Sequence, residues 1–477
     1  MNLDYQVISL VVPVFVILLA GFTKKIIPAI MAGIVIGSLF IAKGDIFSGI
    51  AVAVDRLVKA VSNEDSICII MFLFVFGALG EIMKMSGGVK GFTNLADKYI
   101  KTERGALASI WLSTPFTFID CCFHTISSGT IGKALLDRVK GNKYRFAHVL
   151  NVTSCLLIIL IPFGTTYVGY IVSTIALALS KTNLNMSAYS LFIQSIPFNF
   201  YAITMTLIAL GNTVFNFGFN KKIIQLPKKS INEEDNHSHN HVHEESKVTE
   251  KIKPRVINLI FPLVLLIFST VIFFWYLAED KYSGFLEVIM NTDFEKAILA
   301  SGIFTLIITV IFYLFQKISL DDIEAAFFTG GKDLIHPIIV LMLSWGLSSV
   351  IEELGFAEFV SGKINNNIPE ILIPVIVFLI GCFVSYFIGS AWGTWALLMP
   401  IATTLVVGTG LSLPVVIGAV LAGGSLGDNA SPLGETVILT STVSGVTIME
   451  HVSSQLPYSL IAIAVSSLMF IISAALV

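Results

Sequence analysis

The chain has 477 residues, of which 55 % are apolar and only 13 % are Asp, Glu, Lys or Arg, and its net charge is −3. Soluble domains carry about 25 % charged residues, so this composition excludes a soluble enzyme, a disordered protein and a basic nucleic-acid binder. Apolar runs of about 20 residues recur along the chain, which is typical of an all-α polytopic membrane protein. We therefore expect a multi-pass protein of the cell membrane, in contact with the lipid bilayer and not with nucleic acid.

The amino-terminal stretch MNLDYQ lacks a basic region and leads directly into an apolar segment, so no cleavable signal peptide is expected. The five cysteines all lie in apolar segments, and their number is odd. Buried thiols are therefore expected rather than a disulfide framework.

Twelve apolar segments divide the chain into two halves of six, separated by a polar linker. The segments lie at 7–22, 26–42, 67–83, 105–136, 146–180 and 188–218, and then at 256–278, 296–316, 335–351, 371–408, 411–448 and 456–477. The fourth and fifth segments of each half exceed the length of one span. Polar or glycine-rich stretches interrupt them, namely FIDCCFHTISSGT at 118–130, FGTT at 163–166, IGSAWGT at 388–394 and GDNASP at 427–432.

Corresponding interruptions in two halves favour a transporter built from inverted-topology repeats. We expect each repeat to contain a re-entrant hairpin and a broken transmembrane helix. The predicted boundaries are a first repeat over 1–218, a linker over 219–255 and a second repeat over 256–477.

The distribution of Lys and Arg supports the inversion. Basic residues cluster at 98–104 and 138–145, on either side of the first hairpin, and again in the linker. Because Lys and Arg favour the cytoplasmic side, both ends of the hairpin and the linker are predicted to be cytoplasmic. Each half then has five crossings plus one hairpin, and five is odd, so the second half is inverted.

The linker contains the stretch KKSINEEDNHSHNHVHEESK, which is predicted to be disordered because it is polar and highly charged. Its four histidines, His237, His239, His241 and His243, leave two alternatives open: a solvated linker, or weak binding of Zn²⁺, Ni²⁺ or Cu²⁺. A closed structural zinc site is not expected, because no CxxC accompanies the histidines.

The polar interruptions carry the candidate chemistry. Asp120 and Asp428 are the candidates for binding Na⁺ or a proton, because oxygen-rich clusters suit hard cations and a carboxylate can also hold a proton. Asn429 and Glu435 are assigned to the same cation and proton site. Hydroxyls near the interruptions are the candidate substrate ligands: Thr125, Ser127, Ser128, Thr165, Thr166, Ser390, Thr394, Ser431 and Thr436.

Structural alternatives stand beside these assignments. Asp428 is a candidate cap for a half-helix beginning near Ser431, and Glu435 a candidate capping or packing residue. A structural role is also open for Asp120. His124, four residues after Asp120, is either a proton relay or a buried, hydrogen-bonded histidine.

Several stretches resemble the NhaC-type Na⁺/H⁺ antiporters. These stretches are GTW…MP at 393–400, GGSLGDNASPLGETVILTSTVSG at 423–445, HVSSQLPYSL at 451–460 and FIDCCFHTISSGTIGKALLDR at 118–138. The resemblance implies the fold of the ion transporter superfamily and Na⁺/H⁺ exchange. The same family includes relatives that move organic acids and amino acids.

Departures from the family pattern lie in the first hairpin. The first Asp of the family's Asp-Asp pair matches Asp120, whereas the second falls on Cys121. A family Asn falls on His124, and an Arg-Pro pair falls on Lys133 and Ala134. One acidic group of the family site is therefore missing.

We read the protein as a secondary active transporter, not an enzyme, that exchanges Na⁺ for H⁺ without a cofactor and with Na⁺ as the coupling ion. The alternative is Na⁺- or H⁺-coupled transport of a small organic acid or amino acid. A gated channel, or a sensor that signals through its His-rich loop, is the alternative from a different functional class. An ATP-driven pump is disfavoured, because no GxxxxGK[ST] loop is present. A homodimer is left open.

Overall fold

The computed structural model describes residues 5–23, 25–91, 101–180, 186–215, 253–278, 293–355, 369–406 and 411–476. These residues form nineteen α-helices and no strand. The all-α fold is therefore confirmed. Most of the predicted linker lies outside the described residues.

The first half contains ten helices. They are α1 (Tyr5–Thr23), α2 (Ile26–Ile41), α3 (Ile46–Val61), α4 (Glu64–Met85), α5 (Glu103–Thr117), α6 (Cys121–Arg138), α7 (Lys143–Asn151), α8 (Thr166–Ser180), α9 (Ala188–Ser195) and α10 (Phe200–Phe215). A π-helical segment, Val152–Leu157, continues α7, and a 3₁₀ turn, Ile196–Phe198, joins α9 to α10.

The second half contains nine helices. They are α11 (Ile257–Leu277), α12 (Phe294–Phe315), α13 (Leu320–Asp333), α14 (Ile335–Glu353), α15 (Ile373–Ile388), α16 (Ala391–Val406), α17 (Leu413–Ala430), α18 (Glu435–Ser444) and α19 (Ile448–Leu476).

Seven stretches of the described chain are long and apolar enough to cross a membrane, or eight if the bent pair α9–α10 counts as one span. The seven are Ser66–Met85, Ile257–Leu277, Phe294–Phe315, Ile335–Glu353, Glu370–Ile388, Leu413–Ser444 and Ile448–Leu476. The protein is therefore a multi-pass membrane protein.

The two halves share one order of elements: two helices, an amphipathic helix, a long helix, a hairpin, a broken helix and a final span. The amphipathic helices α3 and α13 were not among the predicted segments. Both carry several charged residues, which a search for apolar runs passes over. Each begins at a side-chain cap, since Asp45 accepts from Ser48 N and Ser319 accepts from Asp322 N, both at 3.1 Å.

Contacts between the halves are reciprocal. Helix α3 packs on α14, where Gly346 lies against Leu57, and α13 packs on α4, where Gly330 lies against Gly77. The hairpin helix α6 packs on α18, and the hairpin helix α16 packs on α8. A two-fold relation between the halves requires such reciprocity. That the relation inverts the second half across the membrane stays a prediction.

The first hairpin consists of α5 and α6. Ser113 on α5 donates to Ser128 on α6 at 2.8 Å, and Thr117 meets His124 Nδ1 at 2.7 Å. Later residues of α5 contact earlier residues of α6, so the two helices of the hairpin are antiparallel. The predicted interruption at 118–130 was too long, because only three residues between α5 and α6 leave the helical conformation.

The break in the second half lies at 431–434, later than the predicted 427–432. The cause is Pro432, which disfavours helical backbone in the residue before it, and Ser431 is accordingly extended (φ −77°, ψ 135°). Asp428 and Asn429 therefore belong to the last turn of α17.

Gly389 turns the chain between α15 and α16. Its φ is +74°, and a Cβ placed there would lie 2.6 Å from the carbonyl carbon of Leu433. The tip of the second hairpin is thus packed directly on the break between α17 and α18.

We predict that Gly389→Ala destabilises the protein, because a left-handed backbone costs a non-glycine residue about 1–2 kcal/mol and the new methyl group also meets Leu433. The melting temperature in detergent measures the effect. The matched control is Gly211→Ala on α10, where a Cβ meets nothing within 4 Å. Equal melting temperatures for the two variants would contradict this account of the tip.

Candidate cation and proton site

Asp120 lies at the tip of the first hairpin and caps α6. Its Oδ1 accepts from Cys122 N at 2.9 Å and Phe123 N at 3.1 Å, and its Oδ2 accepts from Thr166 Oγ1 at 3.1 Å. Thr166 N also donates to Ile119 O at 2.9 Å, so the tip is bound to the first residue of α8. The carboxylate is held in place by backbone and side chain, and it is half-buried.

Asp428, in the last turn of α17, joins elements of both halves. Its Oδ1 accepts from Ala391 N at 3.2 Å, so it caps α16 rather than a helix beginning near Ser431. Its Oδ2 accepts from Tyr167 OH at 3.3 Å. Because Tyr167 follows Thr166, two consecutive residues of α8 connect Asp428 to Asp120.

Glu435 is the first residue of α18 and the third carboxylate of the cluster. It interacts electrostatically with Asp120 and Asp428, and its carboxylate lies near the Cys122 thiol. Glu435 keeps exposed surface, whereas the next residue, Thr436, is buried. Glu435 is therefore accessible at the surface of the protein.

Four helices begin at this cluster: α6, α8, α16 and α18. The first N–H groups of a helix have no partner within the helix, and the amino end carries partial positive charge. Asp120 and Asp428 satisfy two of these ends, Thr165 Oγ1 accepts from Val168 N in α8, and Glu435 places negative charge in the first turn of α18. The predicted acidic residues thus meet at one place.

Most of the predicted hydroxyls bond within or between helices. Thr125 and Thr394 donate to the carbonyls four residues earlier, Cys121 O and Ser390 O. Ser390 itself accepts from the N–H of residue 393 at 3.3 Å.

Ser431 donates to Tyr386 O at 2.6 Å and fixes the break. Ser127 is buried, and its hydroxyl has no partner among the described residues. Of the nine hydroxyls, Thr166 is the one that bonds to a carboxylate of the cluster.

His124 has partners on both ring nitrogens. Nδ1 meets Thr117 at 2.7 Å and Ser128 at 3.1 Å, and Nε2 meets Thr153 at 3.1 Å. The geometry is that of the buried, hydrogen-bonded histidine, which was one of the two alternatives.

Asn429 bonds to side chains that sequence reasoning did not single out. Its Oδ1 accepts from Tyr201 OH at 2.7 Å, and its Nδ2 donates to Asn151 Oδ1 at 2.7 Å. Gln455 donates to Asn151 Oδ1 at 3.0 Å and to Asn429 O. Asn151 and Gln455 are amides inside apolar segments, and that was the signal available in the sequence.

These amides belong to a longer run of polar groups between α7 and α19, which we name the polar seam. It consists of Tyr144, His148 and Asn151 on α7 with Glu450, His451 and Gln455 on α19. At its exposed end Tyr144 OH donates to Glu450 at 3.1 Å, and at its inner end Asn151 meets Asn429, next to Asp428.

The middle of the polar seam is a pair of buried histidines. His148 is 1 % exposed and His451 0 %. Among the described residues, neither ring makes a hydrogen bond of normal geometry, although His148 stacks on Tyr458 with ring centroids 4.5 Å apart. Buried polar atoms of this kind are ordinarily satisfied by ordered water.

Asp333 is a further carboxylate that the sequence did not single out. It ends α13, is exposed, and interacts electrostatically with Asp120 and Glu435. The sequence offered no cue for it, because α13 was not predicted.

We predict that Thr166→Val lowers the melting temperature of the protein in detergent, because the lost hydrogen bond to the Asp120 carboxylate contributes about 1.5–3 kcal/mol. The matched control is Thr174→Val on the same helix, whose hydroxyl donates to Ile171 O at 2.8 Å. A melting temperature that falls equally in both variants would contradict a role for the Thr166–Asp120 bond.

Comparison with known proteins identifies the family of the chain. The model of the Na⁺/H⁺ antiporter family matches residues 157–475. An uncharacterized protein of Haemophilus influenzae is 28 % identical over 478 residues, covering 97 % of this chain and 90 % of that protein.

Two relatives with described activities match over shorter stretches. The malate-2H⁺/Na⁺-lactate antiporter of Bacillus subtilis is 34 % identical over 82 residues, 17 % of this chain and 18 % of that protein. The Na⁺/H⁺ antiporter NhaC of Alkalihalophilus pseudofirmus is 29 % identical over 157 residues, 31 % of this chain and 32 % of that protein.

The fold is similar to a solved transporter. The YdaH transporter of Alcanivorax borkumensis superposes with a TM-score of 0.57 at 11 % identity, covering 91 % of this chain and 89 % of that one. The family model covers well over half of the sequence, and the chain therefore belongs to the Na⁺/H⁺ antiporter family.

Proposed function

We propose that the protein is a secondary active antiporter that exchanges Na⁺ for H⁺ at Asp120, Asp428 and Glu435. The observation that carries the proposal is the convergence of these three carboxylates, from both halves, at a hairpin tip and a helix break. Half-helix ends near the centre of a transporter are where coupling ions bind.

Exchange is possible because Na⁺ and a proton compete for the same carboxylate oxygen atoms. A nearby cation favours the ionised form of a carboxylate, so Na⁺ and a proton exclude each other from one group. Asp120 and Asp428 share the α8 dipeptide Thr166–Tyr167, so occupation of one carboxylate affects the position of the other. Movement of one half against the other would break or remake these bonds.

We further propose that protons reach the carboxylates through the polar seam. It extends from the exposed Tyr144–Glu450 pair, past His148 and His451, to the amide of Asn429. Neutral imidazoles can donate at one nitrogen and accept at the other, so they can pass protons along a chain of water. The exposed end lies near Lys143, on the side predicted to be cytoplasmic.

A second candidate is the coupled transport of an organic acid. Four helix amino ends point at the cluster, and such ends also attract the carboxylate of a substrate. The Bacillus subtilis relative is a malate and lactate antiporter by name. Sodium-driven uptake of labelled malate, lactate and amino acids into proteoliposomes separates the two candidates. Na⁺ flux that requires an organic acid would favour the second.

We predict that Asp120→Asn abolishes proton-coupled Na⁺ flux, because the amide keeps the size of the side chain but cannot titrate. Asp428→Asn should weaken the dependence on Na⁺. Flux is measured in proteoliposomes as a function of pH and Na⁺, with expression and melting temperature as controls for folding. The matched control is Asp55→Asn, a surface residue that pairs with Lys59 at 2.9 Å. A wild-type pH profile for Asp120→Asn would remove Asp120 as the proton carrier.

We predict that replacing His148 and His451 together by Asn lowers proton-coupled Na⁺ flux by about 100-fold, a typical loss for a proton-transfer group. Exchange of Na⁺ for Na⁺ should continue, because it needs no proton. His336→Asn, an exposed histidine on α14, is the control. Equal losses in both kinds of exchange would assign the pair a structural role instead.

A further inference from the structure

Two adjacent thiols stand beside Asp120 at the beginning of α6. The Sγ atoms of Cys121 and Cys122 are 3.8 Å apart. Their sulfurs and an Asp120 carboxylate oxygen all lie within 4.8 Å of one another. Neither Cys121 nor Cys122 forms a disulfide, so the two thiols are available as ligands.

The spacing of the sulfurs matches a tetrahedral metal centre. With metal–sulfur bonds of about 2.3 Å and tetrahedral angles, two sulfurs on one Zn²⁺ lie about 3.8 Å apart. Cys121 and Cys122 already have this separation without a metal. Binding therefore requires little rearrangement of the two sulfur atoms.

Glu435 lies outside this group of mutually close donor atoms and would close on the ion as the fourth ligand. Its carboxylate lies near the Cys122 thiol and interacts electrostatically with Asp120. The resulting set of two sulfur and two oxygen atoms has the four ligands of a tetrahedral site. Glu435 keeps exposed surface, so an ion has access to the set.

The donor types decide which ion is favoured. Thiolates select soft or borderline ions such as Zn²⁺ and Cd²⁺, whereas Na⁺ is a hard ion that prefers oxygen. On binding, two S–H bonds break, two metal–sulfur bonds form, and two protons pass to the solvent.

We propose that Asp120, Cys121, Cys122 and Glu435 form a site for a thiophilic divalent cation of the Zn²⁺ and Cd²⁺ class. The proposal deepens the proposed function, because this ion takes two of the carboxylates assigned to Na⁺ and therefore competes with it.

The test is a titration of purified full-length protein with Cd²⁺, followed by the ultraviolet charge-transfer absorption of cadmium–thiolate bonds. The four linker histidines are replaced by Ala in every sample, so that they bind no Cd²⁺: His237, His239, His241 and His243. We expect saturation with one Cd²⁺ per chain, and weaker apparent binding as Na⁺ is raised.

Two variants identify the ligands. The double variant Cys121→Ser and Cys122→Ser should lose the absorption, whereas Cys382→Ser, a buried cysteine on α15, should keep it. Glu435→Gln should keep the absorption but require a higher Cd²⁺ concentration. The melting temperature of the double-serine variant in detergent shows whether it is folded, and Cys122→Ala serves as the second variant if it is not.

The proposal is overturned if the protein without its linker histidines gives no thiolate absorption, or if the absorption persists in the double-serine variant. Na⁺ flux by the wild-type protein is measured separately. A protein that binds Cd²⁺ at these thiols but moves no Na⁺ would refute the proposed function and leave the metal site standing.

Discussion

The need to satisfy four helix beginnings inside the protein determines the rest of the structure. The first residues of α6, α8 and α16 are buried, where water cannot reach every free N–H group, and α18 starts beside them with Glu435 exposed. Asp120 and Asp428 accept from two of these beginnings, and Glu435 lies in the first turn of another. The carboxylate oxygens that accept from these helix beginnings are thus the same oxygens that we assign to a cation.

The site belongs to neither half alone. Asp428 of the second half accepts from Tyr167 of the first, and α18 packs on α6 while α16 packs on α8. A relative movement of the halves must therefore alter the surroundings of each carboxylate. This arrangement gives a physical link between ion occupancy and conformation, as any coupled exchange requires.

The polar seam adds a second constraint, because buried amides and imidazoles are costly unless they have partners. Asn429 joins the seam to the carboxylates through the chain itself, since it directly follows Asp428. The π-helical segment Val152–Leu157 lies beside this junction, and such segments often mark functional positions. Structure and proposed proton transfer therefore depend on the same side chains.

Much of this could be read from the sequence, because a carboxylate in a long apolar segment has few alternatives. Asp120 and Asp428 were predicted on that ground, and so were both hairpins and both broken helices. The position of the second break was wrong because polar residues were taken as non-helical, whereas Pro432 sets it.

The other features of the site could not be predicted, because they depend on contacts that only the folded structure shows. Thr125 and Thr394 are polar, but each bonds to its own helix, which no spacing rule distinguishes from a ligand. Tyr167 and Tyr201 are ordinary residues for a membrane protein. The sequence therefore could not predict their hydrogen bonds to Asp428 and Asn429.

The central claim is that Na⁺ and protons compete for carboxylates shared by the two halves. It is tested most directly by calorimetric titration of the purified protein with Na⁺ in buffers of different ionisation enthalpy. The account predicts that the binding of each Na⁺ releases about one proton or more from the protein to the buffer. It also predicts that Asp120→Asn reduces the number of protons released. Sodium binding to the wild-type protein without any proton release would contradict it.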